Sequence, residues 1–345
     1  MILFQCDYNE GAHPKLMERL VQTNEEQTVG YGEDAYCMEA AKKIRKACGD
    51  ESLAVHFLVG GTQTNLTVIA AALRPHQGVL CAATGHINVH ETGAVEACGH
   101  KVLALPGEDG KITAAQVEAA YAAHRDNDSF EHMVQPKMVY ISNPTELGTI
   151  YSRAELSELY EVCQRYGLYL FLDGARLGYG LAASNNDLTL ADIARYTDVF
   201  YIGGTKVGAL FGEAVVISRD ELKADFRYLI KQKGGMLAKG RLLGVQFDAL
   251  FTDDLYLEIS SHATVLAEKL RAAFAKKGYE LVAPNHTNQI FVIMPDAHLD
   301  ALRERFGFSY DHRVDEGHSM VRFCTSWATK ESSVDALIAA LESKI

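Results

Sequence analysis

The sequence predicts an α/β protein: a mostly parallel sheet covered by helices over the first two thirds of the chain, then a smaller α+β C-terminal domain. Three observations predict it. Short apolar runs recur, several of them apolar at consecutive positions, as in strands buried on both faces. Helix-periodic segments separate these runs. Small, polar and ionisable residues gather directly after the runs, where open α/β sheets bind ligands.

The strand-like runs are LAVHFLV (53–59), GVLCAA (78–83), KVLALP (101–106), KMVYIS (137–142), LYLFLD (168–173), DVFYIG (198–203) and EAVVIS (213–218). AAQVEAAYAAHR (114–125) and SRAELSELYEVCQRYG (152–167) read as helices. In the second, Leu156, Leu159, Tyr160 and Cys163 recur at helical spacing, and Ser152 with Glu155 forms a capping box. After residue 219 the rhythm changes. Residues 220–233, 236–251 and 254–277 read as helices, the last with Leu255, Ile259, Leu266, Leu270 and Phe274 on one stripe. YELVAP (279–284), NQIFVIMP (288–295) and MVRFCTS (320–326) read as strands, with helices at 297–306 and 332–345. We expect a large domain over 1–250, whose first 20 residues pack on the small domain, and a small domain over 251–345.

Composition narrows the function. The 345 residues are 48% hydrophobic and 23% charged, as in ordinary soluble globular proteins. The formal net charge of −12 argues against nucleic acid and anionic membranes as partners. No apolar run is long enough to span a bilayer, and the N-terminus lacks the basic and apolar regions of a signal peptide. Seven scattered cysteines without a CxxC pair fit reduced thiols in a cytoplasm, with no metal site.

The chemistry lies after the strands. GGTQTN (60–65) offers free N–H groups at a helix start, suited to one phosphate. It is not a Walker A loop and lacks the GxGxxG spacing; alone it reads more simply as a glycine turn capped by Thr62. Asp173 ends its strand and needs a cationic or N–H partner, with Arg176 three residues on the plain choice. The sharper reading has Asp173 holding a protonated heterocyclic nitrogen and Arg176 facing another anion. His86 follows the run at 78–83, where its ring can stack on a planar group. Lys206 sits in YIGGTKVGALFG (201–212), and its apolar setting lowers the pKa of the amine and makes it nucleophilic. Such lysines form Schiff bases. A phosphate turn, a buried aspartate and a lysine together match what pyridoxal phosphate requires. The glycines around Lys206 then read as space for a flat ring, and Thr205 as a phosphate ligand.

VGYGED (29–34), GGTQTNL (60–66), GHINVHETG (85–93), DGARL (173–177), GGTKVG (203–208) and MVRFCTS (320–326) carry a resemblance to the threonine aldolase family, within the β-eliminating lyases of fold type I. It runs over nearly the whole chain. GHIN (85–88), TELGTIY (145–151), TDDLY (252–256) and FGFSYDHR (306–313) resemble its phenylserine aldolase branch more closely.

The resemblance implies an aspartate-aminotransferase-like fold and aldol cleavage of a β-hydroxy-α-amino acid. Lys206 would bind the cofactor aldehyde, Asp173 the pyridine nitrogen, and Gly61, Thr62 and Gln63 the phosphate. His86 would stack on the ring, and Arg176 and Arg322 would clamp the substrate carboxylate. Cys6 would stand where the family often has a serine near that carboxylate. Tyr31 would lie near the partner subunit's site in a homodimer or homotetramer. Two departures stand out. Thr145 and Glu146 replace a family histidine thought to act at the substrate hydroxyl, leaving His86 and Glu146 as candidate bases. Leu237 replaces a phosphate-binding arginine, with Lys231, Lys233, Lys239 or Arg241 as substitutes. β-Elimination or transamination with the same cofactor, and non-covalent phosphate or nucleotide binding, are the alternatives.

Overall fold

The structure, a computed structural model, describes residues 1–343. The chain opens with a two-residue strand, β1 (Ile2–Leu3), and helices Pro14–Gln22 and Ala35–Cys48. All seven strand-like runs become strands: β2 (Ala54–Leu58), β3 (Gln77–Ala82), β4 (Lys101–Leu105), β5 (Gln135–Ser142), β6 (Tyr169–Asp173), β7 (Val199–Gly203) and β8 (Glu213–Ile217). They form one sheet in the order β2-β8-β7-β6-β5-β3-β4. Only β8 is antiparallel, to both β7 and β2.

The consecutive apolar residues follow from cover on both faces. Leu170, Leu172, Phe200, Ile202 and Val216 pack into one core with Leu156, Leu159, Phe247 and Leu250 from helices. Their strand neighbours Phe171, Val199, Tyr201 and Val215 point the other way, into a second core with Val68, Ile69, Phe226 and Ile230. Period two in each strand thus serves two apolar layers.

Beyond residue 279 come β9 (Glu280–Leu281), β10 (Gln289–Pro295), β11 (Phe306–Gly307), β12 (Ser309–Arg313) and β13 (His318–Cys324). Four of them form an antiparallel sheet in the order β12-β13-β10-β9, while β11 pairs in parallel with β1. A third core joins Val292, Val321, Phe323 and Leu337 to Leu266, Leu270 and Phe274, and to Phe4 from the N-terminal segment. Helix Leu255–Lys276 spans two cores: Leu255, Ile259 and Ala263 lie in the first, Leu266, Leu270 and Phe274 in the third.

Several boundaries differ from the periodicity. The helix read at 220–233 is two, Asp220–Lys223 and Phe226–Gln232, broken where Asp225 takes a left-handed φ of 57°. The one read at 236–251 begins at Arg241, and the residue before it, Gly240, has no room for a Cβ against the backbone of Gly32. The helix read to 306 ends at Arg303, and Phe306 pairs with Ile2 instead. The strand read at 279–284 shrinks to β9, and that at 320–326 is the C-terminal part of β13, ending at Cys324. The last helix is Glu331–Glu342; residues 344 and 345 of the run read at 332–345 lie outside the described residues.

Candidate active site

The carboxyl ends of β2, β5, β6 and β7, with the turn after β3, border a cavity of about 340 Å³. Antiparallel β8 contributes its first residue, Glu213, to the same edge, opposite both Leu58 and Gly203. Of the expected residues, Gly61, Thr62, His86, Glu146, Asp173, Arg176, Thr205 and Lys206 line the cavity.

The strand ends are drawn together by glycines. A Cβ on Gly174 would stand 1.9 Å from the carbonyl oxygen of Tyr201, and one on Gly203 2.2 Å from that of Ala175. The loops carrying Asp173 and Lys206 can touch only without side chains there. The expectation that Gly203 and Gly204 clear room for a flat ring is therefore corrected: their nearest neighbours are Ala175 and, for Gly204, Gly212 and Phe247. Helix Gly61–Ala72 begins at the turn after β2, with Gly60 as its extended N-cap, so Thr62 is inside the helix rather than its cap. Its first N–H groups lack helical partners, and Gly60, Gly61 and Thr62 border the cavity.

Asp173 is 5% exposed. Its Oδ2 accepts from Tyr140 Oη at 2.6 Å and Asn65 Nδ2 at 3.1 Å, and its Oδ1 from the Ala175 N–H at 2.9 Å. Burial pushes its pKa up, but the charge of His86 and hydrogen bonds from Tyr140, Tyr201 and Ala175 outweigh that and hold it below the usual value. Three donors on its two oxygens favour the ionised carboxylate at Asp173. Arg176 is not its partner: Nε and Nη2 bond both oxygens of buried Asp7 at 2.6 and 3.0 Å, and Asn288 Nδ2 adds a third bond at 2.9 Å.

Lys206 is half-buried. Burial and the nearby Arg176 charge lower its pKa against the pull of Asp7, Asp173 and Glu213, which favours a neutral, nucleophilic amine. Tyr179 Oη donates to its carbonyl at 2.6 Å and fixes the loop.

His86 Nδ1 lies 2.7 Å from Oε1 of Glu91, whose side chain is fully buried. Asn65 Nδ2 donates to that same oxygen at 2.7 Å as well as to Asp173. One amide thus bridges the carboxylate behind the histidine and the carboxylate at the cavity floor. Glu146 Oε1 accepts from the His86 N–H at 2.9 Å and from Ser142 Oγ at 2.6 Å, and burial raises its pKa.

Other expected residues lie elsewhere. Gln63 accepts from the Val59 N–H and donates to the Lys233 carbonyl, bracing the turn from behind. Arg322 bonds Gln289, the Gln5 carbonyl and Ser309. Cys6 bonds Asn9. Tyr31, 47% exposed, borders a separate cavity with Leu237, and Lys231 sits over its ring. Lys233 contacts Cys98, and Arg241 the Thr23 and Asn24 carbonyls. Glu213, Glu91, Asn65, Asp7, Tyr140 and Tyr8 were not singled out from the sequence, although Tyr8 and Glu213 line the cavity. Among the described residues, no group of three His, Cys, Asp or Glu is placed to hold a metal, and no helix is long and apolar enough to cross a membrane.

The chain is a pyridoxal-phosphate enzyme with the aspartate-aminotransferase type of fold. Residues 7–297 match the family described as Beta-eliminating lyase, and the chain belongs to it. It is 31% identical to the low specificity L-threonine aldolase of Pseudomonas sp. (strain NCIMB 10558), over 97% of this chain and 96% of that one. With that of Pseudomonas aeruginosa it is 30% identical, over 94% and 93%. A solved structure of Leishmania major threonine aldolase superposes with a TM-score of 0.97 at 45% identity, covering 99% of both chains. Thermus thermophilus aspartate aminotransferase, at 14% identity and a TM-score of 0.72, shares the fold.

Proposed function

We infer that this chain is a carbon–carbon lyase that cleaves a β-hydroxy-α-amino acid of the threonine type to glycine and an aldehyde, with pyridoxal phosphate as cofactor. The observation that carries the reading is the convergence on one cavity of half-buried Lys206, ionised Asp173 and the open helix start at Gly61, with the Glu91-held His86 beside them. When bound, pyridoxal phosphate supplies an electron sink for the pair left on Cα when the Cα–Cβ bond breaks. Lys206 would hold its aldehyde, Asp173 would keep its ring nitrogen protonated, and the N–H groups at Gly61 and Thr62 would hold its phosphate.

His86 is the better placed of the two candidate bases. Glu91 fixes Nδ1, so Nε2 is the nitrogen left to take the β-hydroxyl proton. Glu146 already accepts two hydrogen bonds on Oε1, and its raised pKa suits a proton-holding neighbour. Arg176 retains Nη1 for the substrate carboxylate, because Asp7 occupies Nε and Nη2. The second reading, β-elimination or transamination, draws on Thr145. This residue stands where a histidine was expected, and its hydroxyl is spent on Thr149 at 2.7 Å.

A panel of threonine, allo-threonine, phenylserine and serine decides between them. Glycine plus an aldehyde is the expected outcome, abolished in Lys206→Ala; pyruvate or another keto acid as main product overturns the aldolase reading. The chain further reads as a homodimer or tetramer in which Tyr31 reaches a neighbour's site, supported by the exposure of Val29, Tyr31, Met38 and Tyr228. A monomer mass in light scattering would refute it.

A further inference from the structure

Glu213 is 3% exposed and stands between the turn after β2 and the Lys206 loop. Its Oε1 lies 2.8 Å from Thr205 Oγ1, and its Oε2 accepts from the Gly204 N–H at 3.2 Å. Thr205 Oγ1 also accepts from the Gly212 N–H at 3.0 Å. A hydroxyl has one proton and two lone pairs. If Glu213 is ionised, Thr205 must give its proton to Glu213 and has none for a phosphate. If Glu213 is protonated, its O–H fills the second lone pair of Thr205, whose own proton is then released for the cavity, where a phosphate oxygen competes with the Gly212 carbonyl, a weak acceptor 3.5 Å from Thr205 Oγ1.

We propose that Glu213 is a proton-holding positioning residue for the phosphate site: its carboxylic O–H donates to Thr205 Oγ1 and so aims the threonine hydroxyl at the cofactor phosphate. The proposal rests on the pyridoxal-phosphate reading above. Burial pushes Glu213 up to about 8, against the hydrogen bond from Thr205 and the charge of Lys206, with Asp173 adding to the rise. Tyr201 on β7 and Tyr256 on helix Leu255–Lys276 also feel its charge, and helix Arg241–Leu250 sets apolar Leu243 and Phe247 against the adjoining glycines and uncharged Gln246 against the Leu210 N–H. A phosphate monoester is a dianion above about pH 6 and would favour the neutral acid further.

The test measures the affinity of the full-length apoenzyme for pyridoxal phosphate and for pyridoxal from about pH 7 to about pH 9.5. Both aldehydes meet the same Lys206, so their affinity ratio isolates the phosphate site. In the wild type this ratio should fall by up to about tenfold per pH unit above the Glu213 pKa, as one linked proton requires. Glu213→Gln, whose amide N–H replaces the acid proton, should hold the ratio high and flat. Thr205→Val should hold it low and flat, with unchanged pyridoxal affinity showing an intact fold. A flat wild-type ratio, an unchanged slope in Glu213→Gln, or a loss of more than about tenfold in that variant at pH 7 overturns the proposal. Failure to bind pyridoxal phosphate at any pH removes the cofactor reading itself, and this proposal with it.

Discussion

Asp173 owes its charge, and His86 its placement, to residues that end no strand. Tyr140 lies inside β5, Tyr201 inside β7, and Asn65 one turn into its helix, yet Tyr140 and Asn65 bond Asp173 directly and Tyr201 helps hold its charge. Glu91 acts one step further back, through Nδ1 of His86. Glu91→Gln keeps the size of the side chain but replaces the carboxylate 2.7 Å from His86 Nδ1 with an amide, which loosens the hold on the imidazole. Kcat should fall by about 10²-fold while KM changes little, as when an acid–base group is weakened without loss of binding. The check is steady-state kinetics of Glu91→Gln beside Ser142→Ala. If only Ser142→Ala loses activity, Glu146 is the operative group and His86 is not.

At the scale of elements, sequence pattern identified every strand of the large sheet and missed what pattern does not encode. Consecutive apolar residues mark a doubly covered strand whichever way it runs, so EAVVI gave no sign that β8 is antiparallel. A search of strand ends therefore found Asp173 and Lys206 and passed over Glu213, which opens its strand. The capping box at Ser152 was legible because side-chain and backbone groups three residues apart determine it locally, and it is present. Helices Pro14–Gln22 and Ala35–Cys48 have no counterpart in the pattern, β1 and β11 are two-residue strands set by each other across 304 residues, and β12 is the polar, mostly exposed arm of a local hairpin with β13. Arg176 illustrates the same limit. The nearest carboxylate in sequence is Asp173, but the one in space is Asp7, 169 residues away.

Asp7 also works at the scale of the whole molecule. Its side chain joins Arg176 after β6 to Asn288 just before β10, while Phe4, three residues earlier, sits in the third core. Burial would raise its pKa, but Arg176, Lys206 and Asn288 outweigh that and lower it. A carboxyl held below its unfolded value contributes stability above that value and loses it as pH falls through the folded-state pKa. Asp7→Asn should therefore cost about 3 kcal/mol near neutral pH by leaving a buried guanidinium uncompensated. The difference should close only below the ordinary aspartate pKa of about 3.9. Denaturant midpoints of both proteins from pH 7 downward would show it; a deficit below about 0.5 kcal/mol at pH 7 would mean the pair is not what secures the segment.

The place of β8 in the sheet has a consequence for biosynthesis. β2 pairs with β8 and with no other strand of the sheet, although 154 residues separate Leu58 from Glu213. Until the ribosome has released residue 217, Ala54–Leu58 has no strand to join, and the turn at Gly60 and Gly61 has no fixed place beside the lysine. A chain stopped before that point keeps the parallel strands β3 to β7 but carries a loose apolar strand, the kind of segment that recruits other chains.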